Sequence, residues 1–88
     1  MEQLLELLKF DLRILHNLED TYLNKRIEGA KADIERRGIT LDISKTEDIF
    51  LIVDYAAWLY KKRDEDVGLP RHLQFRLNNK LISQKGSV

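Results

Sequence analysis

Few side chains in this sequence have the types and spacing that chemistry requires. The two imidazoles, His16 and His72, stand apart, and no H-E-x-x-H pattern joins them to a metal. Such histidines read by default as surface or boundary residues. The absence of Cys excludes a thiolate nucleophile, a disulfide framework and a thiolate zinc site, and fits a reducing compartment. Asp42, Glu47 and Asp48 lie close in sequence but lack the spacing of a calcium loop. Ser44 reads as a helix cap rather than a nucleophile. No phosphate-cradling G-x-x-x-x-G-K-[ST], dinucleotide G-x-G-x-x-G or nucleophile-elbow G-x-S-x-G occurs. The expectation is a protein without catalytic, cofactor or metal residues, and not an enzyme.

The remaining polar residue of interest is Asp54, which interrupts the apolar run Ile49 to Tyr60 (I-F-L-I-V-D-Y-A-A-W-L-Y). Either its strip faces solvent, with Lys61 two turns on, or it is covered at a subunit contact and paired with a base. An unpaired buried carboxylate would be costly. Trp58, the only Trp, reads as a packing residue of the same run.

The elements that position these residues are helical. S-x-x-E at Ser44 and Glu47 is a capping-box signature, and Lys61, Lys62 and Arg63 suit a helix C-terminus. A helix over 45–63 follows. On a turn of about 100° per residue, Ile49, Val53, Ala56 and Tyr60 share one face. Ile52, Leu59, Phe50 and Ala57 widen that face, and Leu51 and Trp58 lie behind it. A helix apolar nearly all round must be covered by the other helices or by another subunit. The run is too short for a bilayer and carries Asp54.

Upstream, Leu4, Leu5, Leu7 and Leu8 predict a short first helix from Glu2 to about Phe10, with 11–16 either its continuation or an extended connector. Asn17 reads as an N-cap with Asp20 as the acid three residues on. A second helix then spans 18–37, with Leu23, Ile27, Ala30 and Ile34 as its core stripe and Gly38 as a left-handed cap. Gly29 inside it suggests a close approach. The alternating 39–43 segment reads as an extended connector laying Ile39, Leu41 and Ile43 on the bundle. After an acidic turn at 64–69, Pro70 opens a last helix to about Ser83. Leu73, Leu77 and Leu81 face the core, and Phe75 and Ile82 lie on the opposite side. Residues 84–88 read as a frayed tail. The fold class is therefore all-α, a small helical bundle of three main helices plus a short N-terminal one. Its 88 residues form a single domain.

Fifteen basic and fifteen acidic residues cancel, so the chain as a whole exerts no long-range attraction on nucleic acid. The signs are unevenly spread. The first twenty residues are acid-rich (Glu2, Glu6, Asp11, Glu19, Asp20 against Lys9 and Arg13), and 70–88 hold Arg71, Arg76, Lys80 and Lys85 with no acid. No targeting segment is read at the start, where Met1 is followed by Glu2.

The ordered set of these parts resembles the small head–tail connector (adaptor, head-completion) proteins of tailed bacteriophages and prophages. The resemblance covers most of the chain. It runs from L-L-E-L-L-K-F-D-L-R-I at Leu4 to Ile14, through Glu19-Asp20, Leu23, Ile27, Ala30, Lys31, Ile34 and Glu35 before Gly38. It continues with W-L-Y-K-K-R at Trp58 to Arg63 and with Leu69-Pro70 opening a helix with Leu73 and Leu77. Arg36-Arg37 depart from the aromatic often found just before that glycine. The resemblance implies a structural subunit that needs no cofactor and forms a homo-oligomeric ring, commonly dodecameric. Its partners would be other copies of itself, the portal protein, a stopper or tail-completion protein, and DNA sliding through the channel without sequence readout. No membrane is involved. The expected location is the bacterial host cytoplasm during assembly and then the virion head–tail junction. Candidate interface residues are Phe75, Ile82, Asp54 and Trp58, and candidate channel-facing bases are Lys25, Arg26, Arg36 and Arg37. The alternative is a small DNA-binding domain reading with Arg71, Gln74, Asn78 and Asn79 on its last helix.

Overall fold

A computed structural model describes residues 2–62 and 68–86. The expected helix end at Arg63, most of the acidic turn and the last two tail residues lie outside them. Among the described residues the chain is all-helical, in the order α1 (Glu2–Leu12), α2 (Asp20–Arg36), α3 (Thr46–Lys62) and α4 (Arg71–Gly86). No strand occurs among these residues; 39–42 form an irregular connector with Ile39 buried and Leu41 half-buried, but Ile43 enters the turn before the next helix and is 50% exposed rather than laid on the bundle. No helix of the described residues is long and apolar enough to cross a membrane.

The centre of the bundle is α3. Ile49, Leu51, Ile52, Val53, Tyr55, Ala56 and Ala57 are all buried. The stripe Leu23, Ile27, Ala30 and Ile34 of α2 and Leu4 and Leu8 of α1 close on it. Helix α2 runs antiparallel to α3, because Tyr60 near one end donates to Glu19 (3.0 Å) and Tyr55 donates to Asp33 (3.4 Å). Tyr22 and Tyr60 meet edge to face at 6.1 Å across the same seam. Helix α4 covers the back of α3 through Leu73 and Leu77, both almost fully buried. Burying each of these leucines contributes about 1.5–3 kcal/mol. The apolar circumference of α3 is thus largely satisfied within one chain, with Phe50 left half-exposed.

Several local expectations are corrected. Ser44 and Glu47 form no capping box: the Ser44 hydroxyl and amide both donate to Asp42 Oδ1 (2.6 and 2.9 Å). Asp42 thereby closes a tight turn ahead of α3 and leaves Ser44 no reach toward the helix amides. Asn17 is not the N-cap of α2. Glu19 holds that position without a side-chain cap bond, and Asn17 Oδ1 accepts from Lys9 Nζ at 2.7 Å instead. Helix α1 continues to Leu12, and Arg13 then adopts φ 60°. Helix α4 continues past Ser83 because Gln84 is clamped to the connector. It accepts from the Thr40 amide and donates to the Thr40 carbonyl, each at 2.9 Å. Gly38 does take the expected left-handed conformation, at φ 94°. Gly29 marks no forced approach: a Cβ there would meet Leu59 Cδ1 at 4.0 Å, an ordinary contact.

Candidate assembly surface

The α3–α4 seam combines leucines with two ion pairs. Asp48, in the first turn of α3, is almost completely buried. Its Oδ2 accepts from the Asp42 amide (2.8 Å) and its Oδ1 lies 2.6 Å from Lys80 Nζ. One oxygen is therefore hydrogen-bonded, and the other makes no hydrogen bond and is matched by the lysine's charge alone. Two turns on, Asp54 Oδ2 lies 2.5 Å from Arg76 Nη1. The two pairs differ in exposure: the Lys80 and Asp48 side chains are 17% and 2% exposed, those of Arg76 and Asp54 37% and 36%. Sequence reasoning singled out Asp54 and passed over Asp48. Acids in a helix's first turn are ordinary dipole partners, and only the return of α4 reveals that this one is covered.

Asp54 and Trp58, expected at an interface, have partners within their own chain. Asp54 holds Arg76. Trp58 donates Nε1–H to the Gly68 carbonyl (3.1 Å), stacks edge-on to Tyr55 at 5.3 Å and carries Lys62 over its ring. Phe75 and Ile82, by contrast, stand on the outer face of α4, 60% and 67% exposed. The interior of the chain does not cover them.

Of the candidate channel bases, Lys25 sits 3.7 Å from Glu28 and Arg36 pairs with Asp33. Arg26 lies over the Tyr22 ring at 4.8 Å, and Arg37 is exposed at the end of α2. All four belong to α2 and its cap, but three of them are engaged locally. For the DNA-reading alternative, Arg71, Asn78 and Asn79 are exposed on α4, whereas Gln74 donates back to the Leu69 carbonyl at 2.8 Å.

The polar clusters carry little chemical potential. His16 has Glu19 and Asp20 three and four residues on, but that stretch is mostly not helical. Glu19 is turned to Tyr60 and Asp20 to Lys9 (2.9 Å), while His16 Nδ1 accepts from the Leu18 amide. Among the described residues no group of three or more His, Cys, Asp or Glu could hold a metal ion. The Asp42 carboxyl is exposed and is held below its ordinary value by the Ser44 hydroxyl first and the Ser44 amide second. An open cleft of about 380 Å³ lies between the end of α1 and the start of α4, with Asp11, Asp54, Lys61 and His72 on its walls. Of its two acids, Asp54 is already held by Arg76.

Comparison with protein-family models, with curated proteins and with solved structures finds no match for this chain.

Proposed function

We propose that this protein is a structural assembly subunit, a head–tail connector of a tailed bacteriophage or prophage. In this reading copies join into a ring beneath the portal, extend the DNA channel during head completion and receive a stopper or tail component below. The observation that carries the assembly part is the outer face of α4. A bundle whose core is closed by its own helices still presents Phe75 and Ile82 together, seven residues apart on one helical face. Large apolar side chains grouped on the otherwise polar outer face of a helix mark a place where another protein docks. The connector part rests on the ordered resemblance from Leu4 to Leu77. The DNA-binding alternative is less favoured, because Phe75 and Ile82 occupy the face its reading residues would need.

The test is Phe75→Asp combined with Ile82→Asp. Circular dichroism should be nearly unchanged, and sedimentation should show loss of self-association at high concentration and of joining to portal rings. Unfolding of the double variant would place these residues in the monomer core. Normal joining to portal rings would remove α4 from the interface.

A further inference from the structure

A second apolar patch lies at the corner between α1 and α2, where Phe10, Leu15 and Leu18 are 85%, 97% and 90% exposed. This corner is a built turn. The Ile14 amide donates to the Lys9 carbonyl (2.9 Å) and the Arg13 amide to the Phe10 carbonyl (3.2 Å). Those two bonds close the end of α1 in the manner of a Schellman cap, a position where Gly is usual. Arg13 occupies it instead at φ 60°. Ile14 packs against the core, and Lys9 bridges Asn17 (2.7 Å) and Asp20 (2.9 Å). A turn fixed at this many points aims three large apolar side chains into solvent.

The charges framing the two patches have opposite signs. At the corner Lys9 is matched to Asp20, which leaves Glu6 and Asp11 against Arg13. Glu6 lies one turn before Phe10 on the same face of α1. On α4, which has no acid, Lys80 and Arg76 are matched to Asp48 and Asp54. Arg71, one turn before Phe75, and Lys85, one turn after Ile82, frame the apolar face without an ion-pair partner among the described residues. Pairing corner with corner would set acid against acid, and pairing α4 with α4 base against base. Only corner against α4 matches both apolar surface and charge.

We infer that the Phe10–Leu15–Leu18 corner of one copy receives the Phe75–Ile82 face of the next. This rests on the assembly reading above and names its contact. Such a contact is heterologous, so each copy offers one patch forward and a different one back, as ring closure requires. The patches are small, so a single contact is weak and gains its strength from closure.

Cysteine trapping tests this directly, because the natural chain has no cysteine. Leu18→Cys and Phe75→Cys variants are oxidised separately and as an equimolar mixture. The mixture should form the mixed disulfide dimer about tenfold faster than either variant dimerises alone, a difference of about 1.4 kcal/mol. Added salt should reduce that advantage, and Leu15→Asp in the Leu18→Cys chain should abolish it. Homodimers forming as fast as the mixed dimer, or no trapping above the rate seen with the Leu15→Asp chain, would overturn the contact. Rings on portal without mixed trapping would sink this contact and leave the assembly reading standing. Mixed trapping with open chains in place of rings would do the reverse.

Discussion

Replacing Lys80 by Met removes one charge from the α3–α4 seam while keeping an unbranched apolar stem. Asp48 is then left with a nearly inaccessible carboxylate, one oxygen still held by the Asp42 amide and the other facing no cation. Breaking a buried ion pair by removing one partner costs about 3–5 kcal/mol. The retained amide bond places this case near the lower end, at about 3 kcal/mol. For a domain of this size each kcal/mol shifts the melting temperature by about 4–8 °C, so a fall of roughly 10–25 °C is expected. Arg76→Met removes a charge from the neighbouring pair, whose side chains are more than a third exposed. Water screens that pair, so its loss should cost no more than about 1 kcal/mol. Combining Lys80→Met with Asp48→Asn removes both buried charges, keeps an oxygen for the Asp42 amide and should recover most of the loss. Urea denaturation followed by circular dichroism and by Trp58 fluorescence measures all three. If Lys80→Met cost no more than Arg76→Met, Asp48 would be solvated in solution and the account of the seam refuted.

Two further perturbations probe local structure. Gly29→Ala places a methyl group in ordinary contact with Leu59 and removes a flexible residue from the middle of α2, so stability should rise by about 0.5–1 kcal/mol in the same titration; a loss would mean that the helix seam is tighter than described. Ser44→Ala removes the main cause of the lowered Asp42 pKa, and the carboxyl should titrate closer to its ordinary value in a carbon-detected pH series. The sign follows from linkage: a depressed folded-state pKa gives a contribution present above the unfolded value of 3.8 and lost as pH falls through the folded one, so Ser44→Ala should weaken this acid-dependent part of stability. An unchanged Asp42 titration would show that the Ser44 hydroxyl bond does not persist in water.

The helices were legible because their signals are local. The stripe Leu23–Ile27–Ala30–Ile34 and the apolar run of α3 follow from helical periodicity, and Gly38 follows from the need for positive φ. What failed were competitions between partners that sequence spacing does not rank. Ser44 had a helix to cap but met Asp42 first, and Asn17 was taken by Lys9. The exposure of Phe75 and Ile82 was legible because Leu73 and Leu77 claim the opposite face of α4. The corner at Phe10, Leu15 and Leu18 was not, because apolar residues near a helix end look like core until the chain's direction is known. Asp48 was hidden for the same reason, since Lys80 lies 32 positions away in sequence and 2.6 Å away in space.

The proposed role requires this folded bundle to close into a ring on a portal. Electron microscopy of the purified protein, alone at high concentration and after incubation with portal rings, tests it most directly. Closed rings of one subunit thickness, stacked coaxially on the portal, are expected. Isolated particles that leave the portal bare at every concentration, or open filaments that never close, would contradict it.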